Sequence, residues 1–496
     1  MTSHPATSPF PPDSAAIDER QTPAWDIRNA PSNYAWLVVF QIAGSLLSFA
    51  SIWLITRRLG AEGYGAIVAV VLASQLVQIF LNWSAASLQR YGVEEFVVSG
   101  AITKSFWTRS LILVPNLILI VLTASLWIAP MAKALEIPAG ARPLVVLHLV
   151  TGAVWLHIQH ALQGAKLLRT QGLLLALERG LTFAAILTLF ASGRLSWINA
   201  LVCYIAAPAL MAIVGGTMLR PYVRRGRLFD AAQFRTMLRF SLPLIPFAIV
   251  GALATSQLDA IFITQYLSKR ALGIYSIATQ INGIVAQLPI LANSVLLAMF
   301  VSLKSTGRES MLSSFFQHVT PPLTLAWGLF CAASSCAAAI LFPVFFKPEF
   351  AAAVQPLWVL LAASTMAFPV LTGLASLSNA YSKTYISMIA SFAAAALNVT
   401  FNVLLIPRFG LVGCAWATLL ALLASLFAFY ILLRRAELLS HVWILVSVIP
   451  ALAGATVVST SGGFPAALAL CGALTLAVAL LQRQSFQKLL SFWRAR

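Results

Sequence analysis

From about residue 34 almost to its end, the chain alternates between long apolar blocks and short polar connections. Fourteen blocks are marked by this pattern: residues 34–55, 65–88, 106–129, 143–163, 171–192, 196–219, 241–266, 273–300, 320–345, 355–380, 385–406, 411–433, 441–460 and 464–481. A helix of about 20 residues crosses the hydrocarbon core of a bilayer. In lipid the backbone must satisfy its own polar groups, which leaves helices or a closed barrel. Barrel strands are short and alternate polar with apolar residues, whereas these blocks are continuously apolar. The pattern therefore predicts an all-α integral membrane protein of about 14 transmembrane helices.

Composition agrees: 60% of the 496 residues are hydrophobic and 9% are charged. That is more apolar surface than a soluble domain of this size can bury. Residues 1–31 carry six prolines and mixed charge, which predicts a disordered polar tail with no cleaved leader. The five cysteines all fall in apolar blocks, and the five-residue spacing of Cys331 and Cys336 fits neither a redox pair nor a zinc site. They read as small packing residues.

The net charge of +18 would raise the question of nucleic acid in a soluble protein. Here the basic residues lie mostly between blocks, so membrane lipids are the expected partner and nucleic acid is not. Counted by connection, 22 Lys and Arg fall on the side of the N-terminus and 9 on the other, with Arg179 inside the fifth block. The imbalance predicts both termini in the cytoplasm. The densest cluster is Arg220, Arg224, Arg225, Arg227, Arg235 and Arg239, between the sixth and seventh blocks. It reads as a topology signal in contact with lipid, with a docking site for a cytoplasmic partner as the alternative. No connection holds a phosphate-cradling glycine loop, a metal cluster or a nucleophile triad. An ATP-driven pump and an enzyme with its own catalytic domain are therefore not expected.

An internal echo bears on architecture. Ile55-Thr56 with Leu59 and Gly65 recurs as Ile263-Thr264 with Leu267 and Gly273, at a constant offset of 208. Both copies span the exit of one block and the start of the next. Six-helix repeats with the substrate path between them are common in secondary transporters. The expected layout is two six-helix bundles related by pseudo-twofold symmetry plus two C-terminal helices. Its boundaries are a tail over 1–31, an N-terminal bundle over 32–219, a basic linker over 220–240, a C-terminal bundle over 241–433, and two extra helices with a basic tail over 434–496.

Several stretches give this layout a family resemblance. Arg57-Arg58-Leu59-Gly60-Ala61-Glu62-Gly63-Tyr64-Gly65 is similar to the R-x-L-G-x-E-x-x-G connection of the polysaccharide and oligosaccharide-lipid flippases, within the multidrug/oligosaccharidyl-lipid/polysaccharide exporter superfamily. Leu258-Asp259 and Gly273-Ile274-Tyr275-Ser276 resemble that family's seventh helix and the start of its eighth. Leu397-Asn398, Asn402 and Leu405-Ile406-Pro407-Arg408-Phe409-Gly410-Leu411-Val412-Gly413-Cys414-Ala415 resemble its eleventh and twelfth. The resemblance implies export of a polyprenyl-pyrophosphate-linked glycan across the bacterial inner membrane by alternating access. The cargo would be an O-antigen, capsule or exopolysaccharide repeat unit, with a polysaccharide polymerase and glycosyltransferases as further partners.

Such cargo needs a polar central cavity, cations for phosphate, and hydrogen-bonding or aromatic groups for sugars. Gln75, Gln78, Asn82 and Gln89 share one face of the second block. Such a face either lines a cavity or hydrogen-bonds to neighbouring helices. Arg57 and Arg58, at the outer end of the first block, can grip phosphate or anchor at headgroups. Glu178 and Arg179 in the fifth block are candidates for the substrate path or for a structural ion pair. Asp259, alone in the seventh block, is the candidate for ion coupling. Removal from water penalises its charged form, so it would take up a proton or bind sodium; no other cofactor is expected. Asn398 and Asn402, at i and i+4, read as packing glue. His157 and His160 share a face but have no further ligand for a metal.

Three other readings remain. An ion-coupled multidrug antiporter of the same superfamily would need an acidic cavity, and the arginines in or flanking the blocks weigh towards anionic cargo. A membrane scaffold subunit of a polysaccharide synthase complex has little reason to keep charges deep in its helices. An integral-membrane glycosyltransferase is the least supported, for want of a large extracytoplasmic loop.

Overall fold

The computed structural model describes residues 24–223, 230–242, 245, 256–305, 308–381, 383–439 and 441–482. Among these the regular structure is entirely helical, and ten helices are long and apolar enough to cross a membrane. Much of the predicted seventh block, Pro243 and Pro246 within it, Arg224, Arg225 and Arg227 of the linker, and residues 1–23 of the tail lie outside the described residues.

Two helices are of double length. Helix α1 (Ala24–Asn82) has 59 residues and begins inside the segment read as a polar tail. It turns at Gly60, with φ 70° and ψ −171°, a conformation open to glycine because it has no Cβ. The arms fold back on each other, so Ser48 and Ser51 of the first face the same cavity as Gln75 and Gln78 of the second. The turn falls where the pattern divides its first two blocks. The second long helix (Thr384–Arg435) has 52 residues and turns in the same way at Gly410, φ 59°, between the eleventh and twelfth blocks.

Between α1 and the linker come α2 (Ala85–Ser99), α3 (Thr103–Leu122), α4 (Ala124–Ala134), α5 (Arg142–Gly164), α6 (Leu168–Ala191) and α7 (Trp197–Leu219). Helix α1 packs against α5, α6 and α7, and α2 against α3 and α5. The linker contains α8 (Ala231–Ser241), whose first turn is capped by Asp230 accepting from the amides of Ala232 and Gln233. Backbone hydrogen bonds, with the amide of Gln233 foremost, hold the Asp230 carboxyl below its ordinary range.

Beyond the linker are α9 (Ser256–Tyr266), α10 (Lys269–Ser305), α11 (Glu309–His318), α12 (Thr320–Phe345), α13 (Val354–Pro369) and α14 (Ala375–Ala380), then α15, the long helix turned at Gly410. Pro369 ends α13 in a single π turn over Val370–Leu374, which leads into α14. Helix α13 is the buried centre of this half, packed on α10, α12 and α15. Helices α16 (Trp443–Val446), α17 (Ile449–Ser461) and α18 (Phe464–Leu481) are the last among the described residues. They are tied to this half by Trp416 Nε1 donating to Ser459 Oγ (2.8 Å) and by Gln355 Nε2 donating to the Val458 carbonyl (2.9 Å).

The halves meet chiefly along α1 and α10. A Cβ on Gly65 would lie 2.1 Å from the Lys269 carbonyl oxygen, and one on Gly273 would lie 2.0 Å from that of Ala61. Ala61 and Lys269 stand 208 positions apart, as do Gly65 and Gly273. The two close approaches are therefore exchanged by a local twofold axis, and small residues let the helices touch backbone to backbone. The internal echo marks this crossing.

Candidate functional site

Beneath the Gly60 turn lies a cavity of about 650 Å³, bounded by α1, α5, α6 and α7 of the first half and by α9 and α10 of the second. Gln75 and Gln78 project into it, joined by Gln159 of α5 and Gln280 of α10. Tyr64, Trp155, Tyr204 and Tyr275 supply aromatic surface. Glu178 and Arg179 face it from α6. Trp155 Nε1 donates to Glu178 Oε2 (2.9 Å), and Arg179 Nη1 donates to Ser48 Oγ (2.6 Å). The two charges are loosely paired, Arg179 Nε standing 3.9 Å from Glu178 Oε1. The Arg179 side chain is 44% exposed, so donors remain free towards the cavity. His148 also lines it, with Nδ1 2.5 Å from Ser74 Oγ.

Not all the residues singled out from sequence come to this cavity. Asn82 lies outside the lining, and its Oδ1 is buried without a partner among the described residues. Gln89 turns to α5, where it donates to His160 Nδ1 (2.8 Å) and to Gln163 Oε1. Arg57 and Arg58 are exposed at the Gly60 end. Arg57 lies over the Trp53 ring at 5.4 Å, and Arg58 Nη2 donates to the Gly193 carbonyl (3.3 Å). That leaves Arg179 as the arginine of the lining, beside a carboxylate.

Asp259 is fully buried and stands behind the cavity wall. Its Oδ1 accepts from Asn402 Nδ2 (2.8 Å), and its Oδ2 accepts from Thr418 Oγ1 (3.2 Å) and the Tyr275 hydroxyl (3.4 Å). Asn402 Nδ2 also donates to Asn398 Oδ1 (3.0 Å), while Asn402 Oδ1 and Asn398 Nδ2 have no partner among the described residues. The Gly410 turn brings Asn402 and Thr418 to one carboxylate from opposite arms. Sequence reasoning reads Asn398 and Asn402 as glue and passes over Thr418 and the Tyr275 hydroxyl. Thr418 carries no signal in the sequence, because the tight turn that folds it back is one glycine. The oxygen atoms gathered here suit a proton or a hard cation. Among the described residues no group of three or more His, Cys, Asp or Glu could hold a transition metal.

At the Gly60 end the halves are tied shut. The turn frees the amide of Ala61, the first donor of the second arm. That amide donates to Glu349 Oε1 (2.9 Å), from the other half of the chain. Within the second half, Glu349 Oε2 accepts from Arg270 Nη2 (2.7 Å), which holds the carboxylate towards Ala61. Trp53 Nε1 donates to the Phe345 carbonyl (2.7 Å), and Lys269 Nζ to that of Glu136 (3.3 Å).

A polar cavity between two helical halves, closed at one end by ties between them, defines a multi-pass membrane transporter. Comparison with solved structures gives the fold a counterpart. The lipid II flippase MurJ, in an inward closed conformation, superposes with a TM-score of 0.63 at 14% identity, over 90% of this chain and 99% of that one. The MATE multidrug transporter DinF-BH, in a ligand complex, gives 0.59 at 12% identity, over 84% and 96%. The Vibrio cholerae MATE transporter VcmN in its bent form gives 0.52 at 14% identity, over 83% and 99%. No curated protein matches the sequence. Residues 31–304 match the family model described as polysaccharide biosynthesis protein, and the chain belongs to that family of flippases and exporters.

Proposed function

We propose that this protein carries a polyprenyl-pyrophosphate-linked oligosaccharide across the bacterial inner membrane, both termini in the cytoplasm, for O-antigen, capsule or exopolysaccharide synthesis. The observation that carries the reading is the cavity lining. Four glutamine amides, four aromatic residues and one loosely paired arginine offer what sugars and a phosphate need. Amides and hydroxyls hydrogen-bond to sugar hydroxyls, rings stack on pyranose faces, and a guanidinium grips phosphate. Closure at the Gly60 end leaves loading to the opposite side, and export then requires the ties around Glu349 to break.

Asp259 is the coupling group in this reading. The Asn402, Thr418 and Tyr275 donors support its charged form, while burial away from water penalises that charge unless a proton or a cation joins it. Tyr275 presents its ring to the cavity and its hydroxyl to Asp259, so it joins cargo to ion. Deleting the gene and analysing lipid-linked intermediates tests the function. Accumulation of carrier-linked repeat units in the inner leaflet is expected. Normal glycan export with altered drug sensitivity would refute the reading. It would favour the ion-coupled multidrug antiporter, to which the Glu178 carboxylate in the lining offers a site for a cationic compound.

A further inference from the structure

Arg109 lies six residues inside α3 and is fully buried, yet no ion pair described for this chain involves it. The carboxylates whose side chains are not described are those of Asp13, Asp18, Glu19 and Asp26, near the N-terminus. Its side chain meets His157 of α5, with Nη1 against the imidazole Nδ1. A guanidinium can only donate, so Nδ1 must accept. His157 Nε2 then carries the hydrogen and donates to Ser110 Oγ (3.0 Å), whose own proton goes to the Phe106 carbonyl (2.9 Å). His157 is therefore neutral and cannot offset the charge. The Phe106 ring packs over it at 4.8 Å, and His160 and Gln163 continue the same polar face of α5 towards Gln89.

The nitrogens left unspent are Nε and Nη2, both buried. These form the edge of the guanidinium that takes two oxygens of one oxyanion side by side. An unpaired buried cation is among the costlier features a fold can carry. The place is separate from the transport cavity. Gly152, Trp155, Leu156 and Gln159 of α5 face the cavity, while His157 faces α3 and His160 faces α2. Arg109 also stands only about 9 Å along α3 from its first residue, at a rise of 1.5 Å per residue. At that end Gln233 of α8 donates to Ser105 Oγ (3.3 Å) and Lys104 pairs with Asp230 (3.6 Å).

We propose that the Nε–Nη2 edge of Arg109 is a binding site for a phosphate-type oxyanion, distinct from the cargo path, which secures α2, α3 and α5 to one another. The oxyanion is either a lipid headgroup phosphate or free phosphate. The test uses the full-length protein purified in neutral detergent and melted with added inorganic phosphate or, separately, with phosphatidylglycerol. A saturable rise in Tm of a few degrees is expected from one probe. A response to inorganic phosphate assigns a free anion, and a response to phosphatidylglycerol alone assigns a headgroup. Arg109→Gln should lose the response. Should that variant fail to fold, His157→Glu is the second arm. It places a carboxylate against Nη1, which offsets the guanidinium charge without covering the Nε–Nη2 edge, and should raise the ligand-free Tm while weakening the response. No response to either probe in the wild type, or a full response in both variants, overturns the proposal.

Discussion

Replacing Glu349 by Gln leaves a side chain of the same shape that can still accept from the amide of Ala61, but it removes the charge that both partners see. Arg270 is 60% exposed and Glu349 22%, so solvent screens the pair. Both residues belong to the second half, so their ion pair, about 0.2–1 kcal/mol, is the same with the Gly60 end closed or open. The contact with Ala61 adds a carboxylate at a helix N-terminus, about 0.3–1 kcal/mol. Loss of the charge should therefore shift the balance away from the closed Gly60 end through the Ala61 contact, by about 0.5 kcal/mol, or roughly twofold. Glu349→Ala also deletes the hydrogen bond to Ala61 and should shift it further, by about tenfold or more in total. Spin labels on a cysteine-free background at Arg57 and Lys347, both exposed at this end, read the population directly. The expected result is a graded gain of the longer distance from wild type through Glu349→Gln to Glu349→Ala. If Glu349→Ala gives the wild-type distance distribution, Glu349 does not hold this end shut and the reasoning fails.

Four further outcomes are expected. Asp259→Asn should abolish export while the protein inserts and melts normally, measured by surface glycan and by detergent melting; wild-type export would rule out coupling through it. Arg179→Ala should lower export by about tenfold, the scale of a lost charge-assisted hydrogen bond, whereas Arg57→Ala should change it little; equal effects would contradict the placement of the two residues. Gly65→Ala puts a Cβ 2.1 Å from the Lys269 carbonyl oxygen and should destabilise the helix crossing by about 1–3 kcal/mol, read as a lower Tm. The capped start of α8 should fray in acid: the folded carboxyl of Asp230 lies below its unfolded value, so its contribution is present above the ordinary carboxylate range and is lost as pH falls through the folded value. Hydrogen exchange at Ala232 and Gln233 that does not change across that range would refute this.

The long apolar blocks made the helical membrane fold legible, because lipid leaves the backbone few alternatives. The Gly65–Gly273 crossing was visible only as an echo, since a match of letters does not say that two carbonyls and two glycines touch. Position in a block proved a weaker guide. Arg57 and Arg58 open a motif at a block's end, but they are exposed and lie outside the cavity lining. Arg109 sits so close to a block boundary that it counts with the flanking basic residues, whereas the fold buries it. Asp259 stood out as a lone carboxylate, yet its partners come from α10 and from both arms of the Gly410 turn, a convergence that no spacing encodes.

Tyr275 has one face in the cavity and its hydroxyl on Asp259, so the two sites share a side chain. Linkage then imposes a symmetry on measurement. If cargo changes the affinity of the Asp259 site for its cation by some factor, the cation must change the affinity for cargo by the same factor. Tyr275→Phe should bring both factors towards one together, and a factor that keeps its wild-type value in that variant would mean that cargo and cation communicate through another residue.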